Sequence, residues 1–336
     1  MRIAYDVTPL SHPRTGVGNY ILGALGGMAE IGGHELVAFG PVSIRGRKLL
    51  NETLAGLDVE RRIVTVPFAH ATRRVWGALG SPPAERFVGK LDVLHFSDWM
   101  RPPQRGGVRA TMVHDLGPLR FPERLHPRTV SMHTATAAEA RTADVVIVNS
   151  EFTANDVAEQ LGVARERIHV AYPGVSELFT PDGPNSFTDP FIFSTATSDW
   201  RKNLENLRRA SDLLGEELPL ITPGDVTHLD ADSVARLYRG ATVFVYPSRF
   251  EGFGMPVIEA MASGTPCVVS DHPSLDEASG DAAVRVDPES PEAIAEGIRQ
   301  AIARSDELIP LGRAHARRFT WRETGRVHLQ SYADAL

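Results

Sequence analysis

The stretch Val243-Phe-Val-Tyr-Pro-Ser-Arg-Phe-Glu-Gly-Phe-Gly-Met-Pro-Val-Ile-Glu-Ala-Met-Ala-Ser-Gly-Thr-Pro-Cys-Val-Val-Ser-Asp271 decides the fold of this chain. Val243 to Tyr246 is apolar, β-branched and aromatic, the composition of a buried strand. Pro247 to Gly254 reads as a loop, with Gly252 and Gly254 supplying permissive backbone. Pro256 suits a first helical turn, where its missing N–H costs nothing. The pattern predicts a helix over Pro256 to Ser263, stopped by Gly264. Thr265 to Ser270 follows as the next strand. Strand, loop, helix and strand make a βαβ unit, which implies a parallel sheet. Ligands of such sheets sit beyond the carboxyl ends of the strands, and the loop from Glu251 to Gly254 lies there.

Two carboxylates frame this loop. Glu251 is at its tip and Glu259 is on the following helix, with seven residues between them. Around Glu259 stand Val257, Ile258, Ala260, Met261 and Ala262, which leave the helix almost no polar face. A carboxylate in such surroundings needs partners, because burying a lone charge is costly. Sugar and ribose hydroxyls are suitable donors. The bland alternative is a favourable place near the helix N-terminal dipole. A capping box does not explain it, because Glu259 falls beyond the N3 position.

The stretch resembles the signature of the retaining GT-B glycosyltransferases of family 4, a pair of glutamates with seven residues between them. The match runs through Tyr246-Pro247-Ser248, then Glu251-Gly252-Phe253-Gly254-Met255-Pro256-Val257-Ile258-Glu259-Ala260-Met261-Ala262, then Gly264-Thr265-Pro266. The resemblance implies that Glu259 holds the nucleotide ribose. It implies that Glu251, with the backbone of Phe253, Gly254 and Met255, meets the donor sugar.

Length and composition agree with such an enzyme. The 336 residues suit two domains of about 150 each. Apolar residues at 42% and charged residues at 23% are ordinary for a globular protein with a real core. The net charge of −7 gives no basic bias toward nucleic acid. A single cysteine, Cys267, excludes an internal disulfide and suits a reducing, cytoplasmic compartment. The start Met1-Arg2-Ile3-Ala4-Tyr5-Asp6 puts an acid where the apolar core of a signal peptide would continue. No apolar run approaches the roughly 20 residues that span a membrane.

Arg2 to Val7 reads as the first strand. Gly16-Val17-Gly18-Asn19-Tyr20 then opens a helix to about Ile31. Glycines between strand and helix let the backbone approach a phosphate or sugar, or simply make a tight turn. Family 4 enzymes carry a similar loop here, which makes Gly16 and Gly18 candidate donor-binding residues. Asp6-Val7-Thr8-Pro9-Leu10 followed by Thr15-Gly16-Val17-Gly18-Asn19-Tyr20 looks most like the mannosyl- and rhamnosyltransferase branch. Two basic segments follow, Arg45, Arg47 and Lys48, then Arg73, Arg74 and Trp76. Each reads as a solvated face, or as peripheral contact with the inner face of a membrane in enzymes that use lipid-linked acceptors.

The strand Ala110 to Val113 ends in His114-Asp115, and a His at a parallel strand end projects toward a ligand. By the resemblance His114 lies at the reaction centre. His95 and Asp98 end the preceding strand, and from that position they are expected to line the acceptor side. The strand Pro190 to Thr197 ends in Ser198-Asp199-Trp200-Arg201-Lys202-Asn203, then a helix from Leu204 to Leu214. Adjacent cations at a strand-to-helix junction make a diphosphate clamp, and the family places Arg201 and Lys202 on the donor phosphates. The chain then passes from Leu214 to Pro223 in one short step. Relatives place another strand and helix there, so about one βα unit is expected to be absent.

The sequence therefore predicts an α/β, GT-B architecture of two Rossmann-like domains facing across a cleft, the second shortened. Residues 1–176 form the acceptor-side domain and 185–318 the nucleotide-sugar domain, with a helix over 319–336 crossing back to the first. The resemblance implies a hexosyltransferase of retained configuration in polysaccharide or glycoconjugate biosynthesis, with mannose or rhamnose favoured. Its catalytic candidates are His114, Glu251, Arg201 and Lys202. The donor is a nucleoside diphosphate sugar. The acceptor is a glycan, a lipid-linked or a small-molecule hydroxyl. No cofactor and no metal are expected. A GT-B phosphorylase and a non-catalytic nucleotide-sugar-binding subunit are the other readings.

Overall fold

The structure is a computed structural model that describes residues 1–336 except 188, 217 and 227–229. The chain forms two compact units, Met1–Gly174 with Trp321–Leu336, and Val175–Thr320. We call them unit 1 and unit 2.

Unit 1 is built on seven parallel strands: β1 (Arg2–Asp6), β2 (Glu35–Val42), β3 (Glu60–Thr65), β4 (Val93–Phe96), β5 (Val108–Val113), β6 (Val145–Val148) and β7 (Ile168–Val170). Their order is β3-β2-β1-β4-β5-β6-β7. β4 and β6 are buried at every position, as expected of strands covered by helices on both faces. The order reverses between β1 and β4, so the loops that leave these two strands diverge and open a crevice. Asp6 ties the two strand ends together. Its buried carboxylate accepts the Thr8 N–H at 2.8 Å, the Ser97 N–H at 3.2 Å and the Ser97 hydroxyl at 2.5 Å.

The last helix, Trp321–Asp334, lies on the first helix, Gly16–Ile31, and three glycines allow it. A Cβ on Gly23 would stand 2.2 Å from the Trp321 ring, one on Gly27 1.8 Å from the Trp321 carbonyl oxygen, and one on Gly325 2.4 Å from the Gly27 backbone. Beneath this contact the helix sends His328 and Tyr332 into a buried polar cluster. The Tyr332 hydroxyl shares a hydrogen bond of 2.7 Å with His95 Nδ1, and Tyr20 donates to the Ala171 carbonyl at 2.8 Å. The variant Gly27→Val is expected to lose about 3 kcal/mol or more, because backbone faces the new side chain and has no rotamer to yield. Chemical denaturation checks it, and a loss under 1 kcal/mol would show that the helix can shift at little cost.

Unit 2 is a second parallel sheet of β8 (Ile192–Phe193), β9 (Leu220–Ile221), β10 (Val243–Tyr246), β11 (Cys267–Ser270) and β12 (Ala283–Val286), in the order β12-β11-β10-β8-β9. The predicted helix after β10 is present as Met255–Ala262. The step from Leu214 to Pro223 differs from its reading. It contains the edge strand β9, which pairs Leu220 and Ile221 with β8; residue 217 of that step lies outside the described residues. A strand this short carries too little pattern to be read from sequence. Among the described helices none is long and apolar enough to cross a membrane.

Candidate active site

In unit 2 the strand order reverses between β10 and β8. The loops leaving these two strands flank the crevice at this reversal, and they carry the candidate donor residues. The first loop is pinned by its own polar groups. Asp199 caps the turn Trp200–Lys202 by accepting the Arg201 N–H at 2.9 Å. Asn203 takes a left-handed conformation (φ 55°), which the short polar side chain tolerates. Its amide donates to the Pro247 carbonyl at 3.1 Å and the Pro288 carbonyl at 2.6 Å. The second loop is laced to the first. The Arg249 N–H reaches the Arg201 carbonyl at 2.8 Å, and Arg249 Nη1 reaches the Trp200 carbonyl at 2.9 Å.

This lacing brings Lys202 onto Glu251. Lys202 Nζ donates to Glu251 Oε1 at 2.7 Å and to the Tyr246 hydroxyl at 2.6 Å. Burial alone would pull the ammonium pKa down, but Glu251 and then Tyr246 outweigh it and hold Lys202 charged. The Glu251 N–H donates to Ser274 Oγ at 3.1 Å, which fixes the loop tip. Arg201 turns instead to Asp199, 2.9 Å from guanidinium to carboxylate. The two cations thus stand on different carboxylates. Tyr246, read from sequence only as the end of a strand, thus contacts a candidate site residue. The available signal was the position of Tyr246, a hydroxyl at the last residue of a buried strand, directly before the loop.

Gly254 opens the helix Met255–Ala262 with φ 105°, and a Cβ there would meet Leu275 at 2.5 Å. Only glycine fits both demands. Phe253 is buried, its ring against Phe319 at 5.3 Å, while Met255 is half-buried. Glu259 sits one turn further on. Its Oε2 accepts the hydroxyl of the buried Tyr238 at 3.2 Å. Burial pushes its carboxyl up to about 7, against the lowering effect of Tyr238.

That carboxyl titrates within the working range. A carboxylate that receives ribose hydroxyls binds best when deprotonated, so nucleoside affinity should rise as pH rises through 7. The expected gain is about ten-fold from pH 6 to pH 8, with a proton released on binding. Glu259→Gln should bind more weakly at pH 8 and lose the pH dependence. Calorimetry in two buffers of different ionisation enthalpy measures both, and a flat wild-type profile would remove Glu259 from the ribose.

In unit 1 His114 follows β5 and is half-buried, with its ring edge-on to Tyr20 at 5.5 Å. Burial lowers its pKa to about 4, although Asp115 pulls the other way. The imidazole is therefore neutral at pH 7. Asp115 accepts the Gly117 N–H at 2.8 Å. Gly16 is exposed, and no heavy atom stands within 4 Å of where its Cβ would be. Gly18 is buried, donates to the Thr15 hydroxyl at 3.4 Å, and packs 3.3 Å from Leu10 at its Cβ position. It lies in the first turn of the helix Gly16–Ile31, capped by Thr15.

His95 is buried, stacked on Tyr5 at 4.2 Å and bonded to Tyr332, and with Asp98 and His114 it borders a narrow crevice. One reading is corrected here. The second basic segment is not one solvated face. Arg73 is 2% exposed and donates to the Pro41 carbonyl at 2.9 Å, and Trp76 is buried and donates to the Pro82 carbonyl at 2.6 Å. Both lie on the inner side of the helix Ala69–Leu79, whereas Arg74, Arg45, Arg47 and Lys48 are exposed.

Comparison with known proteins agrees with this geometry. The family model for Glycosyltransferase Family 4 matches residues 14–177, and that for glycosyl transferases group 1 matches residues 224–314. Together the two models span most of the chain, which is a glycosyltransferase similar to family 4. This glycosyltransferase is 24% identical over 390 residues to the O-antigen chain mannosyltransferase B of Escherichia coli, with 99% of each chain covered. It is 27% identical over 309 residues to the D-inositol 3-phosphate glycosyltransferase 1 of Catenulispora acidiphila, covering 75% of this chain and 74% of that one. Among solved structures, Anabaena HepE, in complex with UDP and glucose, matches it with a TM-score of 0.71 at 14% identity over 100% of both chains. The glycosyltransferase has the GT-B fold of two Rossmann-like domains.

Proposed function

We propose that the protein is a retaining hexosyltransferase. It moves a hexose, mannose or rhamnose favoured, from a nucleoside diphosphate sugar to an acceptor hydroxyl in glycan assembly. The observation that carries this reading is the Lys202 ammonium held at 2.7 Å from Glu251 at the reversal point of the second sheet. A departing diphosphate needs positive charge placed in advance, and Lys202 with Arg201 supplies it. Glu251 then lies where the sugar hydroxyls would meet it, and Glu259 accepts from the ribose. Because the cations carry the electrostatic work, turnover is expected to persist in a chelator. The mannosyl preference is supported by the name of the Escherichia coli relative. Binding of a nucleotide donor is supported by the Anabaena complex.

A thermal-shift screen across GDP, UDP, dTDP and ADP sugars tests the donor class. It is followed by transfer from the best donor, with the product anomer read by NMR. A rise in melting temperature with one base and an unchanged anomeric configuration are expected. Phosphorolysis of a glycan without nucleotide, or inversion at the anomeric carbon, would overturn the reading.

A further inference from the structure

Unit 1 holds a cavity of about 470 Å³ that no step above uses. That volume lies within the roughly 300–1,000 Å³ of small-molecule sites. Three elements wall it: the helix Ala69–Leu79 with His70, Arg73 and Arg74, the segment after β4 with Asp98, Trp99 and Arg101, and the helix Pro127–Ala140. All lie beyond the carboxyl ends of strands, the side on which parallel sheets bind ligands.

The charges in this cavity do not balance. Arg73, Arg74 and Arg101 all line it, and among the described residues none of the three forms an ion pair. Arg73 is nearly inaccessible, and its Nε is buried with no hydrogen-bond partner. Its guanidinium also lies 5.9 Å from the centre of the Trp99 ring. The carboxylate that acts on Arg73 is Asp6, which is already engaged by Thr8 and Ser97. Asp98 lines the cavity as well, but among the described residues it forms no ion pair with any of the three arginines. Its Oδ1 is buried without a partner, and burial, aided by Asp6, pushes the carboxyl up to about 6. Arg73 donates to the Pro41 carbonyl at 2.9 Å, but a buried guanidinium without an ion pair stays costly until an anion compensates it. Arginine forks also suit phosphate and carboxylate oxygens in particular.

We propose that this cavity is the acceptor subsite, and that the acceptor carries an oxyanion, a phosphate ester or a carboxylate, gripped by Arg74 and Arg101 and favoured by the buried charge of Arg73 beneath them. Trp99 gives the sugar or polyol ring of that acceptor a face to stack on. Asp98 connects the subsite to His114, because it also lines the narrow crevice that His114 borders. The proposal rests on the glycosyltransferase reading and adds the chemical class of the acceptor.

Calorimetry on the full chain tests it with three probes: methyl α-mannoside as the neutral ligand, mannose 6-phosphate, and glucuronate. At least one charged probe is expected to bind about ten-fold or more tightly than the neutral one. The stronger of the two identifies the oxyanion. Arg74→Ala and Arg101→Ala, both at accessible positions, should each remove most of that preference, and Arg101→Lys should keep part of it. Lys202→Ala should leave it unchanged, which separates this subsite from the donor phosphate site. Equal binding of charged and neutral probes would overturn the proposal, as would anion binding that survives the double Arg74→Ala/Arg101→Ala variant. Nucleotide-sugar binding is measured in parallel. If it stands while the anion preference is absent, only the acceptor class is wrong. If the preference stands while no nucleotide sugar binds, the transferase reading fails instead.

Discussion

Lys202→Ala is expected to lower kcat/KM for the sugar donor by about 100- to 1,000-fold, the scale of removing one positioned group that stabilises developing charge. Binding should fall selectively. Nucleoside diphosphate affinity should drop far more than nucleoside affinity, since the ammonium serves the phosphates and not the base. The structure adds a control. Lys202 also holds Glu251 and Tyr246, so its loss leaves Glu251 without that partner and could loosen the loop. Lys202→Arg keeps the charge at an altered reach, and melting curves on both variants show whether the loop survives. Equal loss of nucleoside and nucleoside diphosphate binding by calorimetry would reject the phosphate role.

His114→Ala should behave in the opposite way. Its nucleotide affinity is expected to stay within a few-fold of wild type, while kcat falls by about 100-fold or more. The reason is its location. The nucleotide candidates belong to unit 2, whereas His114 belongs to unit 1 at the end of β5. Its pKa of about 4 makes it a neutral donor or acceptor of hydrogen bonds rather than a cation. It follows that kcat should show no limb between pH 5 and pH 8 that disappears in the alanine variant. Single-turnover kinetics, after a melting check, decides the matter. A folded variant with near-normal turnover would leave His114 a purely structural role.

The sequence carried the fold well, because the strands of a parallel sheet are short apolar runs with loops at both ends. Val243 to Tyr246 is such a run, and its boundaries agree with β10. The candidate residues of unit 2 were legible for a related reason: they lie in the loops that follow two such strands. Their partners were not. That Lys202 meets Glu251 depends on β8 lying beside β10, a neighbour relation between segments distant in sequence. Arg73 was misread because it adjoins Arg74. Consecutive helical residues point about 100° apart, so one arginine of the pair enters the protein while the other stays in water. The buried partner of His95 was not legible because nothing local announces Tyr332, which reaches it from the last helix.

That last helix sets an order of events during synthesis. Unit 1 begins at Met1 but is completed by Trp321–Leu336. The ribosome must therefore deliver all of unit 2 before the glycine-lined face of the first helix can be covered. Until then Gly23 and Gly27 face solvent and His95 waits for Tyr332. Unit 2, being continuous in sequence, is free to fold first even though it is translated second. The nascent chain thus holds an unfinished first unit until its last helix is made.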